Sequence, residues 1–179
     1  IFSKGVLTIN KATINVIAEN KTRIYGAANP TFTATYTGFV NGENMDSSGI
    51  TGAPVVTSIA NTSSSVGNYD IVPALGSLAS ANYAFNFVKG TLTVDKATLT
   101  VTADNKNKIY GAVNPAFSVT YTGFVNNETP LYSGMTGTPS FTTLATTLSP
   151  VGVYDVMPGL GSLTAPNYTF VFAKGALTV

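Results

Sequence analysis

Four carboxylates are the residues best suited to chemistry in this chain: Glu43 and Asp70, with counterparts Glu128 and Asp155 each 85 positions further on. Two Asp or Glu side chains flanking a bond are what glycoside hydrolysis uses, provided a cleft holds the sugar between them. Glu43, Asp46 and Asp70 also offer the hard oxygens that calcium takes, but a calcium loop spaces acidic ligands at alternate positions and no such run occurs. With no His and no Cys, the chain lacks an imidazole base, a thiol nucleophile and the usual zinc ligands. The reading adopted is therefore structural: Asp70 caps a turn after Tyr69, and Glu43 opens a helical turn near its positive end. No catalytic, cofactor-binding or metal-ligating residue is predicted, and the chain is expected not to be an enzyme.

Two other groups of residues are candidates for recognition. Threonines at 31, 33, 35 and 37, and at 98, 100 and 102, line one face of a strand pattern. A flat threonine face can meet a sugar or ice, but threonine is also a strong β-former that solvates a strand without charge, and that reading is preferred. Tyr25, Tyr69 and Tyr83 have the shape of sugar-stacking platforms, yet each stands at a strand end beside apolar residues, so they are expected as core aromatics with wet hydroxyls. Triplets such as Asn61-Thr62-Ser63 are glycosylation acceptors only in a host that modifies them.

The elements that must position these residues come in duplicate. Sliding the chain by 85 positions aligns Lys11 with Lys96 through to Val94 with Val179 without a gap, and 49 of the 84 pairs are identical. Tyr25-Gly26-Ala27-Ala28-Asn29-Pro30 returns as Tyr110-Gly111-Ala112-Val113-Asn114-Pro115, a turn in which glycine supplies positive φ and proline pushes the preceding asparagine out of the helical region. The repeat is the domain unit. Residues 11–94 form the first module and 96–179 the second. Residues 1–10 match the end of each module, Phe2, Lys4-Gly5 and Leu7-Thr8 aligning with Phe87, Lys89-Gly90 and Leu92-Thr93, and so read as the tail of a preceding copy.

Within a module, alternation from Ala12 to Ala18 and again around Phe32, Ala34 and Tyr36 marks two strands. Thr129, Pro130 and Gly134 have the chemistry of a single helical turn between helix cap and stop, as do the equivalent residues 44–49. Strands follow at Ala53–Thr57 and Tyr69–Pro73. The last runs from Tyr83 to Val94 with a bulge at Gly90. Only Asp95-Lys96 then separates this strand from the first strand of the next module at Ala97, too short a tether for free swinging. The expected class is mainly β: two β-grasp-like modules of five strands and one short helical turn each, with an immunoglobulin-like sandwich as the alternative.

The combination Lys96-Ala97-Thr98-Leu99-Thr100-Val101-Thr102-Ala103, Tyr110-Gly111-x-x-Asn114-Pro115, Tyr121-x-Gly123-Phe124 and Tyr168-x-Phe170-x-Phe172-x-Lys174-Gly175-x-Leu177-Thr178-Val179 resembles the MBG-type repeats, of the tyrosine-glycine class, in bacterial surface adhesins. The resemblance spans nearly the whole chain, twice. It implies a β-grasp-like stalk or adhesion module of a large exported bacterial protein at the cell surface, with neighbouring repeats and a glycan or host surface as partners, and no family-wide catalytic residues. Composition agrees with an extracellular surface: charged residues are only 9%, the net charge is +1, and 27 threonines supply neutral polarity. So dilute a charge leaves no basic patch for nucleic acid or a membrane surface, and no apolar run is long enough to insert in a bilayer.

Overall fold

A computed structural model describes residues 3–179; Ile1 and Phe2, including the first residue of the predicted tail match, lie outside the described residues. Residues 3–10 carry no strand. Packing divides the chain into two compact units. The first comprises Ile1–Arg23, Ala28–Asn61 and Gly67–Val94, and the second Ile24–Ala27, Thr62–Val66 and Asp95–Val179. The short segments 24–27 and 62–66 thus belong, by packing, to the second unit.

The first repeat contains β1 (Ala12–Ala18), β2 (Lys21–Ile24), β3 (Ala34–Thr37), β4 (Val55–Thr57), β5 (Gly67–Ala74), β6 (Tyr83–Val88) and β7 (Gly90–Asp95). They build two sheets, of order β3-β1-β6 and β2-β7-β5-β4. In the first sheet β1 runs parallel to β6, with Ile14 opposite Phe85 and Val16 opposite Phe87, and antiparallel to β3. Alternation puts Ile14 and Val16 wholly inside, where they pack with Ile50, Leu78 and Tyr83. Ile71 and Leu92, from the other sheet, are equally buried. The second repeat has β8 (Ala97–Ala103), β9 (Lys106–Asn107), β10 (Val119–Thr122), β11 (Ser140–Thr143), β12 (Val153–Gly159), β13 (Tyr168–Ala173) and β14 (Gly175–Thr178), in sheets of order β10-β8-β13 and β11-β12-β14-β9.

Three expectations are corrected. Each repeat has seven strands, because β2 and β9 precede the tyrosine-glycine turn, where Lys21-Thr22-Arg23 and Lys106-Asn107 carry too little apolar alternation to announce a strand. The predicted bulged strand over 83–94 is two strands in different sheets. The buried parity changes there from odd (Tyr83) to even (Leu92, Val94), and the chain crosses between sheets at Gly90, where a Cβ would lie 2.5 Å from the Ala18 carbonyl oxygen. The predicted helical turn is a set of hydrogen-bonded turns and not a helix. Ser48 N–H reaches the Asn44 carbonyl at 2.9 Å and the Asn44 side chain accepts from the Asp46 and Ser47 amides, but Gly49 reverses the chain at φ 66° before a second turn can repay nucleation.

Candidate functional site

Structure separates the recurring carboxylates into two kinds. Asp70 and Asp155 lie on β5 and β12, not in a capped turn, and pair with Lys89 at 2.7 Å and Lys174 at 2.8 Å; all four side chains are about 60% exposed, so each bridge is worth at most about 1 kcal/mol. Glu43 and Glu128 instead accept hydroxyls from buried tyrosines, Tyr83 at 2.5 Å and Tyr168 at 2.6 Å, which corrects both the expected helix-opening role of the glutamates and the expected wet hydroxyl of Tyr83. Asp46 is exposed in the 44–48 turns. Among the described residues no three acidic, His or Cys side chains gather as a metal ligand set.

The glutamate site of the second unit is built from a turn and a strand start. After β10 the chain reverses through Asn126 and Asn127, both in the left-handed region at φ 54° and 58°, a conformation asparagine tolerates better than most residues, and Glu128 N–H closes on the Val125 carbonyl at 3.0 Å. This carries the Glu128 carboxylate over Tyr168, the first residue of β13, whose hydroxyl oxygen also accepts the Val125 N–H at 3.1 Å. Tyr25 completes the site. Its ring meets Tyr168 edge-on at 5.7 Å, its hydroxyl donates to the second carboxylate oxygen of Glu128 at 2.5 Å, and its N–H donates to the Asp95 carbonyl at 2.8 Å. Gly26 lies against Val125 so closely that a Cβ would sit 2.5 Å from its side chain. Around this core, Asn167 accepts the Val66 N–H at 3.0 Å and Asn126 donates to the Thr62 carbonyl at 3.2 Å. Burial, reinforced by the anionic acceptor, pushes the Tyr168 phenol up to about 12, and shifts Tyr25 upward for the same two reasons.

In the first unit the same turn is formed by Asn41 and Gly42, and Val40 N–H again donates to a tyrosine hydroxyl, Tyr83, at 3.2 Å. Here the hydrogen bond to Glu43 is the main cause of an upward shift of the Tyr83 phenol. Where the second unit has Tyr25, the first has a pocket of about 240 Å³ lined by Asn10, Val40, Asn41, Glu43, Asn82 and Tyr83. This pocket is the clearest concave feature of the glutamate–tyrosine sites; Glu43 is the only carboxylate that lines it, and Asp70 is not part of it.

A second constellation escaped the sequence reading. Arg23, buried, donates to the Asn29 side chain at 2.8 Å and to the Asn61 carbonyl, while Asn29 donates to the Ala60 carbonyl at 2.6 Å. Lys108 and Asn114 do the same work in the second repeat, at 2.8 Å to each other, 2.7 Å to the Thr146 carbonyl and 2.8 Å from Asn114 to Ala145. A cation two residues before the tyrosine and an asparagine four residues after it tie the tyrosine-glycine turn to the 60–61 or 145–146 loop. That recurring spacing was the available signal.

The remaining candidates are dispersed. Thr31, Thr33, Thr35 and Thr37 are exposed, but Thr33 gives its hydroxyl to Glu19. In the second repeat Ser118 and Thr120 give theirs to Asp104, holding its carboxyl below the usual range; Thr98 is exposed, Thr100 and Thr102 half-buried. Tyr69 is half-buried on β5. The MBG domain, YGX type, matches residues 14–93 and again 99–178. No curated protein matches the chain.

Proposed function

We propose, from the premise that the chain belongs to the MBG domain family of the YGX type, that it is a non-enzymatic repeat segment of a large exported bacterial surface protein, acting as stalk or adhesive array. The observation that carries this reading is the tandem duplication itself, with Lys96 as the single residue between β7 of one repeat and β8 of the next. So short a junction suits an array of modules in series and leaves no length for a separate functional linker. A β-grasp-like module is favoured by the parallel pairing of β1 with β6 and of β8 with β13, against the immunoglobulin-like alternative, in which sheets are antiparallel. Neighbouring repeats, and a glycan or host surface, are the proposed partners. Neither nucleic acid nor the membrane interior is among them.

The alternative is a carbohydrate-binding module. It would place ligand contacts in the segments that differ between copies, 44–47 against 129–132 and 55–65 against 140–150, where Leu131, Tyr132, Leu144 and Leu148 are exposed. A glycan array separates the two: a stalk segment gives no saturable signal, whereas a binding module gives one that Tyr132→Ala removes. Hydrolysis of any glycan or ester by the purified chain, abolished by Glu43→Gln together with Glu128→Gln, would overturn the non-enzymatic reading.

A further inference from the structure

We propose that the outer edge of β13, and likewise that of β6, is a docking site for an extended peptide segment of a partner protein, which adds to the sheet as a fourth strand. This goes beyond the reading above and depends on neither export nor a stalk role.

The backbone of the edge sets the class of ligand. β6 and β13 each end a three-stranded sheet, and among the described residues no further strand pairs with either. Ala97 N–H donates to the Asn167 carbonyl at 3.0 Å, so residues 167, 169 and 171 turn their amides and carbonyls toward β8, and alternation turns those of Phe170 and Phe172 outward. Ala12 N–H, on the Asn82 carbonyl at 2.9 Å, leaves Phe85 and Phe87 facing outward on β6 in the same way. A row of free N–H and C=O groups at alternate residues is matched by another strand. Lysine, proline or a bulge commonly blunts such an edge, but neither strand holds a charged residue or a proline, and both pair in unbroken register.

Tertiary packing adds a receptor for side chains. A strand residue paired with Phe170 lays its side chain on the same face as the Phe170 ring. There a cavity of about 440 Å³ opens, lined by Leu160, Leu163, Phe170, Phe172 and Lys96, with the two phenylalanine rings 6.4 Å apart. It calls for apolar side chains at alternate positions of the incoming strand. Lys96 adds a preference of charge: its ammonium spends one of three donors on the Ala165 carbonyl at 3.1 Å, and among the described residues no carboxylate pairs with it. An acidic residue at the peptide end beside Tyr168 complements it.

The first repeat carries the same site. Lys11, Leu75, Leu78, Phe85 and Phe87 repeat the lining residues at matching burial, Leu75 being 50% exposed and Leu160 52%, and Lys11 donates to the Ser80 carbonyl at 2.8 Å. One repeat has another after it in this chain and the other has one before it, yet the strand edge is unpaired in both. The opening is therefore a property of the repeat and not of where the sequence starts or stops.

The test is titration of the whole chain with the synthetic peptide acetyl-Thr-Val-Thr-Phe-Thr-Val-Glu-amide, from about 10 µM to about 1 mM as befits a small interface. Its glutamate stands at the C-terminal end for a strand added antiparallel, the stabler pairing. Amide chemical shifts are expected to show two peptides bound per chain, with hydrogen exchange slowed at the Phe85, Phe87, Phe170 and Phe172 amides. Methylating the amide nitrogens of both valines and the phenylalanine of the peptide removes the donors that face the edge and keeps every side chain; affinity is expected to fall at least about tenfold. Leu75→Lys with Leu160→Lys, at exposed positions, is expected to weaken binding several-fold with wild-type circular dichroism, and Lys11→Gln with Lys96→Gln to weaken both binding and its dependence on salt. Should the leucine variant fold poorly, the methylated peptide still reads the unaltered chain. No binding up to about 1 mM, shifts that spare β6 and β13, or a methylated peptide that binds as tightly, which would make the cavity an apolar pocket only, would overturn the proposal.

Discussion

The two tyrosine-glycine turns share sequence and local geometry but not surroundings. Each is closed by the same amide-to-carbonyl bond, Ala27 to Ile24 at 3.1 Å and Ala112 to Ile109 at 3.0 Å, and Gly26 and Gly111 both adopt φ 83°. A cation and an asparagine brace both. Yet Tyr25 is buried against Tyr168 and Glu128, while Tyr110 stands in solvent. The local motif therefore dictates the backbone and aims the ring, and what the ring meets decides its energy. A phenol that buries its face and donates to a carboxylate contributes several kcal/mol, whereas the same phenol in water contributes almost nothing.

The comparison breaks most sharply under alanine. Tyr25→Ala is expected to destabilise the second unit by about 3–5 kcal/mol, as for other large aromatics lost from a core, while Tyr110→Ala changes stability by no more than about 0.5 kcal/mol. Urea unfolding followed by near-ultraviolet circular dichroism reads both, and equal losses would mean that burial does not distinguish the turns.

Alkaline pH gives the next effect. Burial pushes the Tyr168 phenol in the folded unit from its ordinary value of about 10 up to about 12, so its contribution is fully present below pH 10 and is lost as pH rises through 12. By the usual conversion that is about 3 kcal/mol, shared with the Tyr25 contact. Thermal melts between pH 9 and 12 are expected to show a steep decline that Tyr168→Phe flattens; an unchanged slope in that variant would assign the decline to other groups.

The glycines sharpen the comparison at smaller scale. Gly26→Ala and Gly111→Ala both incur the left-handed cost of about 1–2 kcal/mol, but Gly26→Ala also drives a methyl into Val125 and is expected to cost about 1–2 kcal/mol more. Val125→Ala should remove most of that excess from Gly26→Ala and leave Gly111→Ala unchanged.

Much of the fold is written locally in the chain. The 85-residue shift alone marks two modules, because identity at Tyr, Gly, Asn and Pro positions without a gap requires the same turns at the same distances. Alternation around Ile14, Val16, Leu99 and Val101 placed β1 and β8 with their buried faces correctly, since a strand's period is a local property. What alternation cannot carry is partnership. Whether the parity change at Gly90 is a bulge or a crossing between sheets depends on the Ala18 backbone, some seventy residues away. That Glu43 and Glu128 serve tyrosines 40 positions along the chain, not a helix end beside them, follows from the meeting of β6 and β13 with the Asn41 and Asn126 turns. The residue types of the glutamate–tyrosine site were determined by the sequence in both copies, and only tertiary structure decided that one carboxylate takes two phenols and the other takes one, because a hydrogen bond between distant residues exists only once packing has brought them together.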